Sequence, residues 1–285
     1  MNVMKAETMM LNLIRTFASL ATLLVVASPV AAQSLNPQAT LSDRDLREFR
    51  RLMPGTYTNE EQVAFQESRG VPEKDHVMGM TVVVERTGQS ILSLITWDDG
   101  RTLKARHDHS LQDGVIRADA IRNGRVDCSR TVTRVFDSFH AEGCEGRFVV
   151  DEKGIILTTG GVTNVLRRAR PFTCWASPRK ADGSYAFYNE LVLHDQGGRV
   201  WIDATADHPR IGLKLRNVEW PTGVNRDSLA LYAYQGLDED YSPAYVWADP
   251  EAERLGINTR WLQASCTQGD AVITPNLNLR PGKSD

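Results

Sequence analysis

Two imidazoles stand two residues apart in His107-Asp108-His109. On a β-strand that spacing puts both rings on one face, where they could share a metal ion given a third ligand. His76 or His194 could supply it. A solvated strand end beside Ser110 accounts for the same residues more simply, and no metal and no other cofactor is predicted. Downstream, Arg167, Arg168 and Arg170 cluster beside Phe172 and Trp175 and could embrace carboxylates at the mouth of a cavity. A solvated loop is the plainer reading of that cluster. Residues 33–285 contain no Gly-x-Ser-x-Gly elbow to present a nucleophilic serine. Gly160-Gly161 lacks the Lys-Ser/Thr pair that a phosphate loop needs.

The chain carries four cysteines, Cys128, Cys144, Cys174 and Cys266, at spacings unlike a zinc site. An even number in an exported chain predicts disulfides. Three pairings are open; a hairpin expected over residues 128–144 favours Cys128 with Cys144, which leaves Cys174 and Cys266 to tie the tail back. Export is expected from residues 1–32. Lys5 and Arg15 precede an apolar run too short for a membrane span, Pro29 breaks it, and Val30-Ala31-Ala32 predicts cleavage before Gln33. The expected location is therefore the periplasm or the exterior, with no membrane span in the mature chain.

Lys and Arg number 33 against 36 Asp and Glu, a formal net charge of −3, with the two signs interspersed. That balance lacks the basic footprint of a nucleic-acid binder and gives no reason to expect an anionic membrane as partner. About 250 mature residues can bury a sizeable core without metals.

The elements that must position these groups are mostly strands. Residues 41–53 place Leu46, Phe49 and Leu52 at helical spacing behind Ser42 as N-cap, and Pro54-Gly55 stops the helix. After it come short β-branched or alternating runs, among them HVMGMTVVVER, SILSLITW, RTLKARHDHSL and GVIRADAIR. The turn signals TGQ, DDG, QDG, RNG and DEKG separate them. That is an antiparallel meander, and it predicts a barrel. Residues 162–178 read as an irregular connection or lid, 195–198 as a hairpin turn, and 249–255 as a short helix. The expected organisation is a signal peptide at 1–32, a barrel domain at 33–235 and a C-terminal extension at 236–285 packed on it.

A helix followed by Gly55, Tyr57, Asn59 and Gln62 and then by a meander resembles the start of the CpcT/CpeT chromophore lyase family. Gly143-Cys144 opening a strand, Cys174, and the Tyr-rich stretch containing Tyr185, Tyr188 and Glu190 add to the likeness, which spans roughly residues 46–203. The resemblance implies a mainly β, calycin- or lipocalin-like antiparallel barrel that holds a linear tetrapyrrole or similar hydrophobic molecule and presents it to a cysteine of an acceptor protein. It implies Tyr57, Gln62, Arg106, Tyr185, Tyr188 and Glu190 as ligand-lining residues; a structural alternative for Gln62 is to satisfy buried backbone groups where the helix crosses the barrel end. An unbroken strand would point Tyr185 and Tyr188 to opposite faces, so one of them lines the cavity unless a bulge intervenes. The export signal and the longer C-terminal region depart from the family's cytosolic lyases, which leaves catalysis open against a non-enzymatic carrier or interaction protein. The oligomeric state, a homodimer included, is open too.

Overall fold

A computed structural model of the chain describes residues 40–220, 225–236 and 242–271. The expected signal peptide lies outside the described residues. Helix α1 (Asp43–Leu52) begins where expected: the Ser42 hydroxyl accepts from the Asp45 amide, and the Asp45 carboxylate accepts from the Ser42 amide at 2.9 Å. This reciprocal capping box satisfies two amides that the first helical turn leaves unpaired. The bond from the Ser42 hydroxyl leads the effects that hold Asp45 down to about 2. Leu46, Phe49 and Leu52 share the buried face of the helix.

Ten strands follow and close on themselves: β1 (Gly55–Thr58), β2 (Met80–Thr87), β3 (Ser90–Trp97), β4 (Thr102–Gln112), β5 (Val115–Arg122), β6 (Arg125–Val135), β7 (Ser138–Gly143), β8 (Gly146–Val150), β9 (Gly154–Thr159) and β10 (Val162–Arg168). From β2 to β10 each strand pairs antiparallel with the next, and β1 pairs with both β2 and β10, Tyr57 standing opposite Val82 on one side and Arg168 on the other. The result is a closed, calycin-like antiparallel barrel. Closure leaves its strands no free edge except beyond the short β1.

The barrel is shorter in sequence than expected. Residues 162–168 are its closing strand, and only Ala169-Arg170 separates them from β11 (Pro171–Pro178). The remaining strands are β12 (Tyr188–His194), β13 (Gln196–Ile202), β14 (Ile211–Val218), β15 (Ser228–Gln235), β16 (Ala244–Ala248), β17 (Arg254–Asn258) and β18 (Leu262–Gln268). They form two four-stranded sheets, ordered β12-β11-β18-β17 and β13-β14-β15-β16. Phe172, Leu193, Leu213, Leu231, Leu255 and Leu262 pack in a second core between these sheets, apart from the barrel core around Phe49, Tyr57, Ile116 and Phe139. A β-sandwich at 171–268 thus replaces the expected barrel continuation to 235 and the extension from 236. The expected hairpin at 195–198 is a crossing instead: β12 and β13 are separated by Asp195 alone and belong to different sheets. Residues 249–252 make one turn between β16 and β17, not a helix.

The arginines that suggested a loop are ties. Arg168 donates to the carbonyls of Leu52 and Pro54 at the C-terminal end of α1, where orphaned helix carbonyls favour a cation. Arg167 pairs with Glu219. Arg170 meets the buried Asp195 carboxylate with its backbone amide at 2.8 Å and its Nε at 2.6 Å, fastening the end of the barrel to the crossing between the sheets.

Candidate functional site

The junction after β1 was a candidate ligand wall, and its residues turn out to complete the barrel wall. Strand β1 ends at Thr58, so β2 and β10 part beyond it. Side chains fill the gap. Asn59 donates to the Met78 carbonyl at 2.9 Å and accepts from the Met80 amide at 2.7 Å. Helix α2 (Glu60–Ser68) brings Gln62 against β10, where it donates to the Thr163 carbonyl at 2.9 Å and accepts from the Val165 amide at 2.8 Å. The amide of Gln62 therefore does for β10 what a neighbouring strand would do. Gln62→Leu is expected to hand the exposed Thr163 carbonyl to water, to leave the partly buried Val165 amide poorly met, and to lower stability by about 0.5–1.5 kcal/mol without altering ligand affinity, as denaturant melts and titrations of the same variant would read. Glu60 and Glu61 face the sandwich. Glu61 pairs bidentately with Arg216 at 2.8 and 2.7 Å, and Glu60 pairs with Arg199.

Of the other expected ligand contacts, Tyr57 has no exposed surface, and its hydroxyl lies 2.8 Å from the Leu52 carbonyl and 2.9 Å from that of Met53. It belongs to the packed core and locks α1 to β1. Arg106 points outward and pairs with Asp108, because the alternation that turns His107 inward turns its neighbour out. Tyr185, Tyr188 and Glu190 sit in the sandwich, not the barrel. A bulge in β12 against Cys174–Ala176 does intervene, with Glu190 at φ +55°, and the Tyr188 hydroxyl bonds His208 Nε2 at 2.7 Å. The structure does not bring these six residues together.

What the bore does contain follows from the register. His107 stands opposite Ile91 and Ala120, and His109 opposite Ala118, so both imidazoles share the inward face as the two-residue spacing predicts. Neither suggested third ligand joins them: His76 bonds the Val71 carbonyl beside α2, and His194 ends β12. No group of three metal-ligating side chains occurs among the described residues. His109 is buried against Phe49, with ring centroids 4.9 Å apart, and burial, reinforced by the charges of His107 and Arg50, pushes it down to about 4.

That shift has a sign. A histidine of the unfolded chain titrates near about 6.5, so between there and 4 the unfolded state binds more protons. The stability this group contributes is intact above about pH 6.5 and falls as pH drops through 4, by roughly 3 kcal/mol. His109→Gln is expected to flatten this acid limb when urea midpoints at pH 7 and pH 4.5 are compared.

Arg130 is the group sequence reasoning missed. It stands opposite Ala118 on the inward face, with its guanidinium 5.8 Å from the Phe148 ring centroid, and Phe148 in turn stacks on Phe49 of α1. Its Nε is buried without a hydrogen-bond partner, and no carboxylate pairs with it among the described residues. Burial lowers its pKa. The inward positions of β2–β10 carry no Asp or Glu. The Cys128–Cys144 disulfide lies two residues from Arg130 and pins the β7–β8 turn, whose central residues Cys144 and Glu145 both have positive φ, onto β6.

Burial also grades along the bore. At the α1 end Ile91, Ile116, Phe139 and Val150 are sealed. At the other end Ile95, Trp97 and Leu157 are only partly buried, and Leu103 and Val162 are about half exposed. One end is thus plugged by a helix, and solvent reaches apolar, inward-facing side chains at the other.

These features define a class, a helix-capped ten-stranded antiparallel barrel joined to an eight-stranded sandwich, with two disulfides compatible with an oxidising, extracytoplasmic location. No helix among the described residues is long and apolar enough to cross a membrane. Comparison with protein-family models, with curated proteins and with solved structures finds no match for the chain.

Proposed function

We propose that the barrel binds a small molecule with an apolar body and an anionic group, entering at the end away from α1. The observation that carries this reading is Arg130, a cation on the inward face of the barrel beside the Phe148 ring, with no carboxylate partner among the described residues. A half-buried guanidinium left unmatched is costly, and a ligand carboxylate would relieve it with charge-assisted hydrogen bonds. His107, held low in pKa by burial and by Arg130, offers a neutral imidazole on the same wall.

A linear tetrapyrrole, with its apolar rings and propionates, is the ligand the resemblance to the CpcT/CpeT family favours. The reading is of an exported carrier. Inward groups suited to acid–base chemistry are confined to the two histidines, and the bore presents no free thiol among the described residues. Transfer of the bilin to an acceptor cysteine is the second reading, supported by the family resemblance. Adding biliverdin to the purified protein is expected to give a shifted absorbance band. Adding a phycobiliprotein apoprotein then separates the two readings: a bilin that stays removable by denaturant marks a carrier, and one that becomes covalent marks a lyase. Absence of any spectral shift would rule out both for biliverdin.

A further inference from the structure

A recess of about 460 Å³ lies on the outer face of the β12-β11-β18-β17 sheet, lined by Trp175, Arg254, Gly256, Asn258, Gln263 and Ser265 among others. Its position follows from alternation. Cys174, Ala264, Cys266, Leu255 and Ile257 face the sandwich core, so their neighbours on the same strands face out. The Cys174–Cys266 bridge ties β11 to β18 directly beneath it. Gly256 stands opposite Ser265, and a Cβ there would come within 2.8 Å of the Ala264 carbonyl oxygen. The floor of the recess is therefore flat backbone. Along one side Trp175 stacks with Phe187 at 5.9 Å between centroids, and Phe187 is 66% exposed.

We propose that this recess binds an acidic oligosaccharide, a chain of sugar rings carrying uronate carboxylates. A pyranose presents a flat C–H face that packs on the electron-rich face of an aromatic ring. Its rim of hydroxyls suits the outward amides of Asn258 and Gln263, whose side chains have no hydrogen-bond partner among the described residues. A wholly apolar ligand would cover the aromatic pair and leave those amides and the guanidinium desolvated and unmet. The choice of an acidic sugar rests on charge. Arg254 is the one charged residue lining the recess; its Nε donates to the Ser265 hydroxyl at 3.3 Å, and no carboxylate pairs with it among the described residues. An arginine so placed holds a carboxylate in a two-pronged grip.

Titration calorimetry of the full chain with a short oligogalacturonate tests this, with a neutral xylo-oligosaccharide and polyglutamate as comparisons. The oligogalacturonate is expected to bind more tightly than either. Phe187→Ala and Trp175→Ala should each weaken it by roughly fivefold to tenfold. Arg254→Gln should abolish the preference over the neutral sugar. Because Phe187 is mostly exposed, its variant tests stacking even if Trp175→Ala fails to fold. No binding of the oligogalacturonate, binding unchanged in both Phe187→Ala and Arg254→Gln, or equal binding of polyglutamate or the neutral sugar would overturn the proposal. Each readout is independent of the barrel ligand.

Discussion

Tyr57→Ala is expected to destabilise the protein by about 4 kcal/mol, the range for removing a large ring from a packed core. The ring is fully buried, carries the Arg168 guanidinium 4.8 Å from its centroid, and reaches the last carbonyls of α1 through its hydroxyl, which burial pushes up to about 12. Tyr57→Phe keeps the ring and loses the hydroxyl, so its expected cost is about 1–2 kcal/mol. Denaturant melts measure both. Ligand affinity of the still-folded Tyr57→Phe protein should be unchanged. A Phe variant of normal stability that lost affinity would place Tyr57 against the ligand instead of the helix.

The second large effect is opening Cys174–Cys266. The bridge closes a loop of 92 residues, and constraining a loop of that length in the unfolded chain contributes about 4.6 kcal/mol on the chain-entropy account. The Cys128–Cys144 bridge spans 16 residues and contributes about 3 kcal/mol on the same account. A Cys174→Ser, Cys266→Ser double variant should therefore lose more stability than a Cys128→Ser, Cys144→Ser variant, and melts with and without reductant should show the same order. The reverse order would mean that native contacts near β6, rather than unfolded-chain entropy, set the effect.

Much of the barrel was legible because its signals are local. Ser42 with Asp45 and the spacing of Leu46, Phe49 and Leu52 define α1, and turn residues mark most of the strands. Helix α2 was not legible: Glu61 and Val63 are its buried residues, so it carries no apolar stripe to announce a helix. Strand β7 offers only Phe139 and Ala141 as inward apolar residues in a stretch of six. The barrel boundary was misplaced because Arg167, Arg168 and Arg170 look solvated in sequence. Their partners, Glu219, the end of α1 and Asp195, are distant along the chain.

The site divides in the same way. The shared face of His107 and His109 was readable from period-two alternation, and that alternation also forbids Arg106 from facing the bore. The inward orientation of Arg130 depends on the register of β5 with β6, which includes a bulge between Ala120 and Ile121. No short-range pattern distinguishes it from its neighbours. The Tyr185–Glu190 stretch was assigned to the barrel because its strand character is real and its sheet membership is a tertiary property.

Arg130 is the proposed carboxylate anchor of the bore, and the most direct measurement of that role compares biliverdin with its dimethyl ester on native protein and on Arg130→Gln. The free acid should bind the native protein at least about tenfold more tightly than the ester, the scale of one charge-assisted contact, and Arg130→Gln should erase that difference. Failure of the native protein to bind the acid, equal affinity for acid and ester, or an acid preference that survives Arg130→Gln would contradict it.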